Sequence, residues 1–105
     1  MRLFLVHAGF YDKNVSGGFY ESHTNYFVVA ADVKDAKSKA KEIPEYKEKK
    51  MHIDGIKELD AVNGYKIILE KSEDDNEDIG SKYSYDDVKK IWIFTLCRNV
   101  YYLIF

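Results

Sequence analysis

The sequence predicts an α+β fold: a small β-β-α-β-β unit, one helix packed on a mostly antiparallel sheet, with an extra apolar C-terminal segment. Three observations predict it. Residues 2–8 and 26–31 are apolar and β-branched runs with no breaker inside them. Between Asp32 and Pro44, the residues Val33, Ala36, Ala40 and Ile43 recur at spacings of three and four, the stripe of an amphipathic helix. Two further strand-like runs, 50–60 and 65–71, flank Val62-Asn63-Gly64, a hairpin signal. A length of 105 residues suits one modest domain, and 46% apolar with 32% charged residues is a globular balance.

The first strand covers residues 2–8 and ends near His7. Residues 9–25 then mix Gly, Ser, Asn, Tyr and Phe, with Ser16-Gly17-Gly18 supplying turn flexibility. A loop of that length is ordered by its own side chains or is functional. Phe10, Tyr11, Phe19, Tyr20 and Tyr26 lie along it or at its edge, so partial packing is expected. The second strand follows at 26–31, reaching back toward Glu21. Asp32 is a good N-cap, because its carboxylate accepts from the free N–H groups of the first helical turn. Asp35 adds negative charge where the helix dipole is positive. Pro44 disfavours helical geometry at the residue before it, which ends the helix near Ile43.

The hairpin register follows from the pattern. A two-residue Asn-Gly turn pairs Val62 with Tyr65 and leaves Glu58 and Asp60 on the apolar face. A three-residue loop pairs Ala61 with Tyr65 and Leu59 with Ile67, and sets Asp60 opposite Lys66. The second register is preferred, since a slip of one residue flips the whole face. On this reading Ile53, Ile56 and Ile68 lie on the face opposite the helix. One helix rarely covers a sheet, so these residues and the apolar tail argue for a homodimer, or for a tail lying across the sheet.

The domain is expected at 1–71, followed by an acidic linker at 72–82 and an apolar segment at 83–105. In that segment residues 91–96 read as a strand. They echo residues 2–6 in type, like the start of a truncated second repeat. Asp74, Asn76 and Asp78 have the odd spacing of a calcium loop. The glycine falls at Gly80 and position twelve is Tyr85, so the match fails.

Composition excludes several classes. A net charge of −2 argues against a general nucleic-acid binder. The lysines of 34–50 alternate with acids and read as a solvated face. One cysteine, Cys97, permits no intrachain disulfide and fits a reducing, cytoplasmic setting. It has no CxxC partner and reads as structural. The C-terminal apolar run falls short of the ~20 residues of a spanning helix, so no membrane partner is expected. No phosphate loop and no Gly-x-Ser-x-Gly elbow is present, and no cofactor is called for.

The polar residues that stand out are Glu21, His23, His52 and Asp54. Each pair is spaced i, i+2, so within a strand both members share one side. A helix between the two strands implies a right-handed crossover that makes them parallel neighbours. Two imidazoles and two carboxylates could then converge to hold a metal or to perform acid–base work. The plainer alternative is a polar sheet edge. His7 reads as a strand-end histidine. Should it reach the same place, three histidines would strengthen the metal reading.

Two stretches resemble a known family, the bacterial "domain of unknown function 1543" group. One is Glu21-x-His23 leading into Phe27-Val28-Val29-Ala30 and a helix; the other is His52-Ile53-Asp54 running to Val62-Asn63-Gly64-Tyr65. The resemblance covers about residues 1–70 and implies a fold and a motif set, not a reaction. The favoured reading is a non-catalytic binding or oligomerising module. It would recognise a protein or small molecule through the 9–25 loop, with Tyr11, Phe19, Tyr20 and Tyr26 as ligand candidates. The alternative is a small metal-dependent or acid–base enzyme built on Glu21, His23, His52 and Asp54. Convergence of those four side chains would favour the second.

Overall fold

A computed structural model describes residues 1–73 and 80–98, with side chains as far as Ile91. The chain divides into two compact units between Lys71 and Ser72. The first unit contains β1 (Arg2–Tyr11), β2 (Glu21–Ala30), α1 (Val33–Lys41), α2 (Pro44–Glu48), β3 (His52–Glu58), β4 (Ala61–Val62) and β5 (Tyr65–Lys66). The second contains α3 (Tyr85–Arg98). No helix among the described residues is long and apolar enough to cross a membrane.

β1, β2 and β3 form one antiparallel sheet in the order β2-β1-β3. β2 and β3 therefore run in the same direction, as expected of strands joined through a helix, but they are not neighbours: β1 lies between them. The first strand does not stop at His7. The alternation Phe4, Val6, Ala8, Phe10 continues through Gly9, and all four side chains are buried. Glycine here does not break the strand.

α1 packs on β2, β1 and β3. Asp32 caps it, accepting from Asp35 N at 2.8 Å, while Asp35 Oδ2 accepts from Ala31 N at 2.9 Å. That reciprocal pair satisfies two backbone donors at the helix start. The Ala31 N–H is the main cause that holds the Asp35 carboxyl below its usual range. Ala36 and Ala40 are fully buried against Phe4, Val6, Val28 and Ala30. Their small side chains let the helix approach the sheet closely. Val33, expected on the same stripe, is instead exposed. Ile43 ends the first helix as anticipated and adopts extended geometry as the N-cap of α2, with Pro44 in the first turn. α2 carries Glu45 and Tyr46. The Tyr26 hydroxyl donates to Glu45, and Tyr46 packs on a second cluster of Ala8, Phe10 and Met51. Burial and then the Glu45 carboxylate push the Tyr26 phenol up to about 12. The lysines of this region pair as expected of a solvated face: Lys39 with Asp35, Lys47 with Glu42 and Lys49 with Glu45.

β3 carries an irregularity. His7 pairs with Gly55 and Ala8 pairs with Ile53, which leaves Asp54 without a partner on β1. This is a β-bulge, one extra residue in one strand. It explains why Ile53 and Ile56, three residues apart, both pack on the core cluster. In a regular strand they would face opposite ways. Both residues were expected on the face away from the helix, and the bulge overturns that. Ile68 is exposed.

The hairpin also differs from expectation. Ala61 pairs with Lys66 and Val62 with Tyr65 around a two-residue turn, Asn63-Gly64. Both turn residues have positive φ, 52° and 82°, the requirement of a type I′ turn. Ala61, Val62, Tyr65 and Lys66 are all exposed. With neither face buried, the apolar pattern exerts no pull on register, and turn chemistry decides it.

In the second unit, residues 91–96 are part of α3, not a strand. Ser84 and Asp87 cap the helix reciprocally: Asp87 N donates to Ser84 Oγ at 3.1 Å, and Ser84 N donates to Asp87 Oδ2 at 3.0 Å. A capped start followed by a run with no glycine or proline continues as helix, so the echo of residues 2–6 is one of composition only. Asp74, Asn76 and Asp78, the Cys97 side chain and residues 99–105 lie outside what the structure describes.

Candidate functional site

On the sheet face turned away from α1, the strands bring together the four polar residues singled out by spacing. Gly9 of β1 pairs with His23 on one side and with His52 on the other. Glu21 lies two residues before His23 on β2. Asp54 stands at the bulge of β3. His23 Nε2 lies 3.3 Å from Glu21 Oε1 and 3.1 Å from Asp54 Oδ2. His52 Nε2 lies 2.7 Å from Glu21 Oε1 and 3.1 Å from Asp54 Oδ1. The contacts close a ring in which imidazole nitrogens and carboxylates alternate. Two strands that are not neighbours contribute it, and the middle strand lies beneath.

Gly9 makes this possible. It is buried, and a Cβ there would stand within 2.7 Å of Glu21 Oε1, Asp54 Oδ2 and His52 Nε2. The missing side chain is the floor of the cluster. Glycine inside a strand marks such close approach, a signal legible in the sequence once the strand is traced through it.

His7 joins the cluster rather than ending the strand. Its ring stacks on that of His23, with centroids 4.9 Å apart and planes within 6°. His7 Nδ1 is 2.8 Å from Asn25 Oδ1. Because an amide oxygen only accepts, Nδ1 donates here, and in the neutral ring Nε2 is the nitrogen with the lone pair. His7, His23 and Asp54 each offer a donor atom, mutually within 4.8 Å, as do Glu21, His52 and Asp54. Asn25 was not anticipated. It sits at i+2 from His23 on the same face, the same spacing that found the others.

The four groups at the ring are between 30% and 50% exposed, so the cluster opens to solvent. The loop candidates divide. Tyr11, Phe19 and Tyr20 are exposed, contrary to the packing expected of them. Phe19 and Tyr20 meet edge-to-face at 4.9 Å. Tyr26 does not belong with them. It is half-buried on the helix side of the sheet, engaged by Glu45 and by Met51 Sδ.

All four ring residues fall within one recognisable segment. Residues 18–69 match the family model described as Domain of Unknown Function (DUF1543). The matched segment spans β2 through β5 and so includes Glu21, His23, His52 and Asp54. β1, with His7 and Gly9, precedes it. No curated protein and no solved structure matches the chain.

Proposed function

We propose that the first unit binds a divalent transition-metal ion on the open face of its sheet, and that Glu21, His23, His52 and Asp54 are the ligands. The observation that carries this reading is the closed ring over Gly9. Donor atoms about 2.1 Å from one ion lie about 3.0 Å apart on an octahedral edge and about 3.4 Å apart on a tetrahedral one. The ring edges run from 2.7 to 3.3 Å. Each Nε2 faces two carboxylates at once, and a single N–H serves both poorly. A cation at the centre serves all four groups together. Imidazole and carboxylate donors without thiolate suit zinc, nickel, cobalt, iron(II) or manganese rather than copper(I).

The core clusters lie on the other face and do not include these residues. The ion is therefore not what folds the domain. Its exposed position suits presentation to a ligand, which fits a binding role better than a structural one. His7, with its proton held on the Asn25 side, supplies a further lone pair beside the ion.

The test is direct. Purified protein stripped with a chelator is dialysed against zinc, nickel or cobalt and analysed for bound metal. One equivalent per chain is expected, and the double variant His23→Ala/His52→Ala binds none. With cobalt, a visible absorption band reports nitrogen and oxygen ligation. Metal content at background in the loaded wild-type protein would sink the reading.

A further inference from the structure

We infer that the ion anchors a small ligand whose planar aromatic body lies toward Tyr11, Phe19 and Tyr20 and whose paired oxygens chelate the metal. The inference rests on the metal reading and names the class of molecule that site takes.

Three observations point to the aromatic end. Tyr11, Phe19 and Tyr20 are 59%, 77% and 65% exposed, although a loop of this length has every opportunity to bury them. They are held in place nonetheless. The loop between β1 and β2 is tied by Val15 N to Asp12 O at 3.0 Å, Gly18 N to Val15 O at 2.9 Å and Phe19 N to Ser16 O at 3.1 Å. Exposed aromatics on an ordered loop are a recognition surface waiting for a flat partner.

The third observation is register. Tyr11 pairs with Glu21 and lies two positions beyond Gly9 on the same face, about 7 Å along the strand. Phe19 and Tyr20 directly precede Glu21 in the chain. An aromatic ring attached to a chelating group bridges that gap. At the opposite end of the cluster the His7–Asn25 pair separates the ion from the next apolar pair, Leu5 and Phe27. The loop end is thus the apolar surface that adjoins the ring without a polar row between.

Charge narrows the head group. A divalent ion balances the two carboxylates when the imidazoles are neutral, so the site has no excess charge to offer a dianion. A singly charged chelator with two oxygens, of the hydroxamate kind, fits. Four protein donors plus two ligand oxygens complete an octahedron.

The probes are benzohydroxamate and acetohydroxamate, which share the chelating group and differ in the ring. Their affinities for nickel-loaded protein are measured by calorimetry, each corrected for its affinity for free nickel. Metal content is measured on the same samples. Stacking on an aromatic surface predicts about a tenfold preference for the benzo form. In Tyr11→Ala and in Phe19→Ala that preference falls to within about twofold while metal content stays at one equivalent. Phe27→Ala keeps it. Equal corrected affinities in the loaded wild-type protein would overturn the inference and leave the metal reading standing. Loss of the preference in Phe27→Ala, with Tyr11→Ala unaffected, would also overturn it. Absence of bound nickel would overturn both readings, and the metal content shows which has failed.

Discussion

On one face of β1, Phe4, Val6, Ala8 and Phe10 are all buried against α1 and its neighbours. On the other face, Leu3 and Leu5 are half-buried, His7 and Tyr11 are exposed, and Gly9 is covered by side chains from both flanking strands. The same strand thus follows opposite rules on its two sides. The helix side is specified by volume: each side chain fills space that nothing else fills. The open side is specified by a missing volume, which lets β2 and β3 reach each other over β1. A core reads as a pattern of large residues, whereas a cradle reads as a small residue in an otherwise bulky run.

Substitutions on the two faces should behave accordingly, and the largest effect belongs to the helix side. Phe4→Ala is expected to cost about 3–5 kcal/mol in urea unfolding, because it leaves a cavity among Val6, Val28 and Ala30. Leu5→Ala, one residue along on the open face, should cost about 1 kcal/mol or less. Similar losses for the two would erase the contrast between the faces.

Next comes Gly9→Ala. The added methyl meets the ends of Glu21, His52 and Asp54, which are flexible enough to swing aside. Metal affinity should fall at least about a hundredfold, or 2.7 kcal/mol. The stability of the metal-free protein should stay level or rise by about 0.5 kcal/mol, since alanine costs less backbone entropy in a strand than glycine. A loss above about 2 kcal/mol in the metal-free protein would show that Gly9 is a packing residue instead.

Gly64→Ala serves as a control away from both faces. At a φ of 82° alanine is strained, and about 1 kcal/mol should be lost in the same unfolding assay with metal binding untouched.

The smallest effect is one of pH. The Tyr26 phenol is raised from about 10 to about 12 by burial and by Glu45. A group whose pKa rises on folding adds stability that is complete below its unfolded value and is lost as pH climbs through its folded value. Stability should therefore decline between pH 10 and pH 12 through this residue, in addition to any other alkaline titration. Tyr26→Phe should show a shallower decline across that window when urea midpoints are compared. Parallel curves would remove Tyr26 as the source.

Much of the fold was legible because local chemistry and burial agreed. Asp32, Asp35, Ala36, Ala40 and Pro44 placed α1 correctly, since cap, stripe and terminator all act within a dozen residues. Glu21, His23, His52 and Asp54 were legible as a set because a period of two is a property of any strand. Four things were not. Gly9 looked like the start of a loop, so β1 was cut short and His7 was put at its end. The bulge at Asp54 could not be read from hydrophobicity, because Ile53 and Ile56 at odd separation mean opposite faces unless a residue is extra. The hairpin register was argued from burial, but the paired residues Ala61, Val62, Tyr65 and Lys66 are exposed, and the positive φ of Asn63 and Gly64 was the deciding term. Beyond Ser84, composition alone did not distinguish a buried strand from a helix; the reciprocal Ser84–Asp87 cap was the better guide.

The bulge in β3 makes that short segment a ruler. Between His52 and Ile56 the chain delivers two ligands to one side of the sheet and two isoleucines to the other, and the arithmetic works only with one residue in excess. Exchanging a side chain here removes a single contact. Deleting a residue straightens the strand, and then either Asp54 leaves the ring or Ile56 leaves the core. The domain should consequently tolerate changes of letter in this stretch far better than changes of length, and the distance between His52 and Ile56 is itself part of the site.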